Sequence, residues 1–169
     1  MDFHNNRTNA DLSSVDDLVS PRVGVIFKPS EPVSIYTTYS LAYLPRAGEQ
    51  LSSLSLTNQA LDPEKLTNYE VGAKWDIHPA LSFTGAVYRL DRTNVVIADP
   101  NDATRSILVD GQRTKGFELG VTGSPTPAWT VIGGYAIQHG RVRQNLWATA
   151  KAGAMVAQAP EHAFSVWNR

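Results

Sequence analysis

The stretch Thr67-Asn68-Tyr69-Glu70-Val71-Gly72-Ala73-Lys74-Trp75-Asp76-Ile77 decides the fold. Its odd positions hold Thr67, Tyr69, Val71, Ala73, Trp75 and Ile77, and all but the first are apolar. Its even positions hold Asn68, Glu70, Gly72, Lys74 and Asp76, none of which is a large apolar residue. A strict period of two places the two sets on opposite faces of a β-strand.

The same alternation extends in both directions. In residues 33–43, Val33, Ile35, Tyr39, Leu41 and Tyr43 share one face, interrupted only by Thr37. Further on, Leu81, Phe83 and Val87 oppose Ser82 and Thr84, and Phe117, Leu119 and Val121 oppose Glu118, Gly120 and Thr122. Trp129, Val131, Tyr135 and Ile137 oppose Thr130 and Gln138. With shorter runs at 23–28 and 162–167, about seven strands are predicted. The one stretch expected to be helical is the alanine-rich segment 146–158, as a short helix within a loop, although Gly153 interrupts it.

The connections add an asymmetry. Three are short and marked by proline: Pro29-Ser30-Glu31-Pro32, His78-Pro79-Ala80 and Ser124-Pro125-Thr126-Pro127. Between them run long polar segments at 44–66, 92–113 and 140–160. Short and long connections alternate, so tight turns fall at one end of the sheet and long loops at the other. Transmembrane β-barrels have this arrangement, with short periplasmic turns and long extracellular loops. An eleven-residue strand tilted by about 45° spans ~25 Å, the height of a barrel's apolar band. Tyr43 and Tyr69 then face outward near the long loops and Trp75 and Trp129 near the short turns, as two aromatic girdles. A soluble β-sandwich or propeller with its apolar faces packed together fits the alternation as well.

Composition narrows the function. Among 169 residues, 15 basic and 16 acidic side chains leave a net charge of −1, which argues against a nucleic-acid binder. There is no cysteine, which excludes disulfides, thiolate metal sites and cysteine nucleophiles. No stretch approaches the ~20 apolar residues of a membrane helix, and the opening residues do not read as a signal peptide. His4, His78, His139 and His162 are scattered without ligand spacing, and Asp99-Pro100-Asn101-Asp102 lacks the pattern of a calcium loop. No phosphate-binding glycine loop or nucleophile elbow is present. Neither an enzyme nor a metal site is expected. Charge is sparse at 18% and hydrophobic content modest at 42%, an unusual pairing for a soluble globule.

Several segments resemble those of the TonB-dependent outer-membrane siderophore receptors. Leu61-Asp62-Pro63-Glu64 leading to Tyr69-Glu70-Val71-Gly72-Ala73-Lys74-Trp75 is similar to one of their strands. Arg92-Thr93-Asn94-Val95 followed by Asp99-Pro100 resembles a second segment, and Gln112-Arg113-Thr114-Lys115-Gly116-Phe117-Glu118 a third. Ser20-Pro21-Arg22-Val23-Gly24, Tyr36-Thr37-Thr38-Tyr39-Ser40 and Pro160-Glu161-His162 through Trp167 complete the series. Within it, Gly116 is expected to relieve crowding inside the strand and to allow a bend or close backbone approach. Glu70, Lys74 and Glu118 are expected to face the lumen, while Asp62-Pro63 and Asp99-Pro100 are expected to initiate turns.

The resemblance implies an all-β fold: about seven antiparallel strands of a larger, plugged transmembrane barrel of about 22 strands. Residues 1–169 would then be part of the barrel domain, with plug domain, signal peptide and terminal strands absent. The implied function is TonB-dependent uptake of ferric siderophores across the bacterial outer membrane. The partners are the chelate, outer-membrane lipid and the TonB complex acting through the plug, and no cofactor is implied. A passive porin-like channel segment and a soluble partner-binding β-domain are the alternatives. An anionic chelate favours arginine and aromatic groups on outer loops. Tyr43, Arg46, Arg105, Arg141, Arg143 and Trp147 are the candidates, on or beside the long loops.

Overall fold

The computed structural model describes residues 2–5, 10–13, 16–45, 61–146, 151–157 and 159–169. Among these residues every regular element is a strand: β1 (Asp2–Asn5), β2 (Ala10–Ser13), β3 (Arg22–Ser30), β4 (Val33–Leu44), β5 (Glu64–His78), β6 (Leu81–Thr93), β7 (Val95–Asp99), β8 (Asp102–Val109), β9 (Gln112–Thr126), β10 (Trp129–Val142) and β11 (His162–Asn168). Seven of them form one sheet in the order β3-β4-β5-β6-β9-β10-β11, while β1–β2 and β7–β8 are separate hairpins. All pairings are antiparallel. The seven sheet strands are those that the alternation predicts.

The three short connections are two-residue turns, Glu31-Pro32, Pro79-Ala80 and Pro127-Ala128. Each adjoins a register shift, between Phe27 and Ser30, Asp76 and His78, or Trp129 and Val131. Pro29 and Pro125 lie inside two of these irregularities, where a missing N–H removes no ladder bond. Gly123 holds φ +146°, and a Cβ there would sit 2.0 Å from the Ala80 carbonyl oxygen, so the short-turn end closes tightly around it.

The strands outrun the eleven residues expected: β5 and β9 each have 15. At the long-loop end the ladder continues through Tyr43 opposite Lys65 and Leu44 opposite Glu64. Polar residues here extend the wall beyond the height that an apolar band requires.

Two sequence expectations are corrected. The segment 92–113 is not simply a loop, because it carries β7 and β8, paired from Val95 opposite Val109 to Asp99 opposite Asp102. Nor does 146–158 contain a helix among its described residues. Gly153 adopts φ +85°, and Met155 bridges Arg141 at the end of β10. Alanine's helical propensity yields to pairing with the strand edge. Leu146 instead packs with Val95, Ile97 and Val142 in a small buried cluster that Ile107, Val109 and Ala154 flank. This cluster fixes the β7–β8 hairpin against the end of β10.

The main sheet itself has no apolar layer over it among the described residues. Val25, Phe27, Ile35, Tyr69, Val71, Trp75, Phe83, Val87, Phe117 and Leu119 are all exposed, and the register puts them on one face. A patch of this extent marks an interaction or membrane surface.

Candidate functional site

Two polar surfaces flank that apolar face: the opposite side of the sheet, and the mouth at the long-loop end. On the opposite side, the Tyr36 hydroxyl donates to Glu70 Oε1 at 2.7 Å. Its ring crosses Gly72, where an added Cβ would lie 2.4 Å from Tyr36 Cζ. Tyr88 repeats the device over Gly116, at the same 2.4 Å. The crowding that Gly116 is expected to relieve is thus that of a tyrosine ring. Glu70, Lys74 and Glu118 share this polar face, opposite Tyr69 and Val71, as the alternation predicts.

At the mouth, charged pairs lock neighbouring strands together. Arg92 in β6 clasps Glu64 in β5 at two points, with Nη2 to Oε2 at 2.9 Å and Nε to Oε1. Glu64 is buried, at 6% exposure. Two residues on, Asn94 takes a left-handed conformation at φ 59°, and its Nδ2 donates to the Pro63 carbonyl at 3.1 Å. Asn94 is therefore the pivot at which the chain leaves β6 and enters the outer hairpin. Asp91 sits between two guanidiniums: Arg89 Nη2 at 2.7 Å and Arg113, whose Nη2 donates at 3.1 Å.

The hairpin is tied down at its base. Gly111 N–H donates to the Arg92 carbonyl at 3.0 Å, and Arg143 N–H to the Gly111 carbonyl at 2.9 Å. Asp110 N–H donates to Gln144 Oε1 at 2.8 Å. At its tip, Asp99 Oδ1 accepts the Asn101 N–H at 2.8 Å, which is the turn-initiating role expected of Asp99-Pro100. Asp102 Oδ1 accepts from the Thr104 hydroxyl at 2.6 Å and its N–H at 3.1 Å. These two hydrogen bonds, the hydroxyl's first, hold the Asp102 carboxyl below its usual range.

Of the six candidates, Tyr43 lies near the end of β4 opposite Lys65, half-buried. It lines a cleft of about 550 Å³ with Asp16, Asp17, Asp62 and Lys65. Arg105 belongs to β8 rather than to a loop; it is largely exposed and sits 3.5 Å from Asp102. Arg141 also lies within a strand, β10, opposite Arg113, and its Nη1 donates to the Gly153 carbonyl at 3.3 Å. Arg143 follows β10, with Nη2 3.7 Å from Asp110. Arg141 and Arg143 thus share the rim of β10 and the hairpin base, with Arg105 farther out along β8. Arg46 and Trp147 lie outside the described residues.

The residues that organise this mouth, Glu64, Arg92, Asn94 and Asp91, fall in or beside the quoted motifs, yet motif spacing gave them no partners. The available signal was the run Arg89–Arg92, with an acid flanked by bases just ahead of an asparagine.

Comparison with known proteins bears on the whole arrangement. The family model described as TonB dependent receptor-like, beta-barrel matches residues 1–169. A probable TonB-dependent receptor, BfrD of Bordetella pertussis, is 35% identical over 157 residues, which is 90% of this chain and 21% of that protein. The crystal structure of the siderophore receptor PiuA from Acinetobacter baumannii superposes with a TM-score of 0.80 at 29% identity, covering 94% of this chain and 24% of that one. The closed form of the ferric-catecholate import receptor Fiu from Escherichia coli gives 0.76 at 25% identity, covering 95% and 24%. The chain spans about a fifth of the length of the curated relatives it matches.

Proposed function

This chain belongs to the TonB dependent receptor-like β-barrel family, and from that membership we propose that it is a wall-and-mouth segment of a receptor for ferric siderophore uptake. Members of the family are outer-membrane β-barrels and transporters rather than enzymes. In this reading residues 1–169 are part of the barrel domain, and the plug and the remaining wall strands belong to sequence beyond them. TonB delivers energy through that plug, the ferric chelate is cargo, and the long-loop mouth meets it first.

One observation carries the proposal. Among the described residues, the seven-strand sheet ends in two strands, β3 and β11, that each have a neighbour on one side only. A lipid-embedded strand edge leaves backbone groups unsatisfied at several kcal/mol each. A wall of this width needs further strands to close, and it covers only about a quarter of the PiuA and Fiu chains.

For the mouth we propose that Arg105, Arg141 and Arg143 offer guanidinium contacts to an anionic chelate, and that Tyr43, on its own cleft beside Lys65, offers an aromatic one. Arg46 and Trp147 join this set from the sequence alone. Charge-assisted hydrogen bonds from guanidinium groups are the strong contacts for such a ligand. The energy-coupled gate lies outside this segment, so the 169-residue chain alone transports nothing. The test is uptake of iron from a ferric catecholate by cells producing only this polypeptide. Proton-motive-force-dependent uptake would contradict the proposal, as would steady conductance with graded solute selectivity in a planar bilayer.

A further inference from the structure

The apolar face carries a feature that siderophore capture does not use. The register aligns Tyr39, Tyr69, Arg89, Lys115 and His139 in one row across β4, β5, β6, β9 and β10. The row toward the short turns reads Thr37, Val71, Val87, Phe117 and Ile137 and is apolar but for its threonine. The row toward the long loops reads Leu41, Thr67, Asp91, Arg113 and Arg141. Arg89, Lys115, Arg113 and Arg141 therefore form a block of four cations on three neighbouring strands, directly above the apolar band.

Asp91 is the carboxylate within this block among the described residues, and Arg89 and Arg113 both reach it. Four positive charges against one negative leave an excess of three. Lys115 and Arg141 are exposed, and Arg89 is 42% exposed with its guanidinium 5.9 Å from the centre of the Tyr69 ring. His139 closes the row, with Nε2 2.7 Å from Glu161 Oε1.

A groove of about 550 Å³ runs beneath the tyrosine end of the row. Val23, Val25, Thr37, Val71 and Val87 line it, and Tyr39, Tyr69 and Arg89 stand at its upper edge.

We propose that this is a binding site for a lipid with a phosphate headgroup, from the leaflet on the long-loop side. Its acyl chain occupies the groove and its phosphate meets Arg89 and Lys115, with Arg113 behind them. The chemistry follows from position. Cations on a lipid-facing wall are costly near the bilayer midplane and cheap at the interface, where their stems lie along hydrocarbon and their heads meet phosphate. Guanidinium pairs phosphate at two points, and the adjoining tyrosines sit where aromatic rings settle at a headgroup boundary. The soluble cargo has no access to the groove or to the row of Arg89 and Lys115, which lie opposite the polar side that carries Glu70 and Glu118, whereas Arg141 and Tyr43 stand one and two rows nearer the long loops, at the rim. The inference rests on the outward face meeting lipid and is independent of which chelate is transported.

The test uses the complete receptor containing this segment, purified in a zwitterionic detergent and titrated with phosphatidic acid, phosphatidylcholine of the same chains, and inorganic phosphate. Phosphatidic acid is expected to bind more tightly than either of the others. The double variant Arg89→Gln with Lys115→Gln is expected to lose about tenfold in that affinity, as two charge-assisted contacts imply. The charge-preserving pair Arg89→Lys with Lys115→Arg is expected to retain it, which guards against misfolding as the cause. Thr37→Trp, which fills the groove and leaves the cations intact, is expected to weaken phosphatidic acid but not inorganic phosphate. Equal binding of phosphatidic acid and phosphatidylcholine, or unchanged affinity in the Gln pair, would overturn the proposal.

Discussion

Arg92 and Glu64, 28 residues apart, join β6 to β5 at the mouth of the sheet through a two-point ion pair, Nη2 lying 2.9 Å from Oε2. Glu64 is buried while the Arg92 side chain is 39% exposed, so the carboxylate depends on the guanidinium more than the reverse. Arg92→Ala is expected to leave that carboxylate without its charged donor and to cost about 1.5–3 kcal/mol, and Glu64→Gln less, because an amide oxygen still accepts. Urea unfolding of the complete receptor measures both. Equal midpoints for Arg92→Ala and the unmodified protein would contradict this role.

The outer hairpin depends on a small apolar cluster. Ile97→Ala removes packing from Val95, Val142 and Leu146, at a cost of about 2–5 kcal/mol for a buried aliphatic truncation. The loss is expected to appear locally, because the main sheet does not share this cluster. Hydrogen exchange should speed up across residues 95–109 and stay unchanged in β4 and β5. Uniform acceleration across the sheet would show that the hairpin is not a separate unit.

Tyrosine rings over glycine make a sharp prediction on the polar face. Gly116→Ala would set a Cβ 2.4 Å from Tyr88 Cζ, so the ring must leave its position. Overpacking of this kind costs about 1–3 kcal/mol. In a Tyr88→Ala background the same change is expected to cost little, which a double-mutant cycle reads directly. Additive effects would mean that ring and glycine do not interact.

The hairpin tip is expected to respond to acid. The Thr104 hydroxyl and N–H bonds depress the Asp102 pKa, so their contribution is full above the unfolded carboxylate value of about 3.9. It is lost as the pH falls through the lower folded value. Protection of the Thr104 amide relative to its intrinsic exchange rate should therefore fall only in acid, and Thr104→Val should bring the Asp102 titration back toward an ordinary carboxylate. An Asp102 titration unchanged in Thr104→Val would contradict the assignment.

The mouth arginines carry the prediction about cargo. Replacing Arg105, Arg141 and Arg143 together by Gln in the complete receptor is expected to weaken ferric-siderophore binding by about tenfold or more. Their exposure makes a large loss of stability unexpected. Equilibrium binding of a ferric catecholate measures the effect, and unchanged affinity would remove these residues from the site.

What the sequence revealed and what it hid have the same physical source. The wall strands were legible because one face must be apolar and the other polar, and Glu70 beside Val71 or Glu118 beside Leu119 cannot exchange faces without placing charge against lipid. The short turns were legible from proline. The β7–β8 hairpin was not, although Val95-Val96-Ile97 and Ile107-Leu108-Val109 flank an Asp99-Pro100 turn. Those apolar runs are too short to show a period, and their burial depends on Val142 and Leu146, far along the chain. The candidate helix at 146–158, absent among its described residues, had the converse origin, a local propensity outweighed by pairing with β10. At the mouth, residue types pointed to arginines, but only the register brings Arg113 opposite Arg141 and Asp91 between two guanidiniums.

The central claim is that these strands are the wall and mouth of an energy-coupled receptor. Its most direct test is uptake of radiolabelled iron from a ferric siderophore by iron-limited cells whose complete receptor lacks the hairpin residues 95–109, beside cells with the intact receptor. The account predicts rapid uptake by the intact receptor that an uncoupler abolishes, and loss of uptake on excision with the barrel still inserted. Uptake that survives the uncoupler, or that is unaffected by the excision, would contradict it.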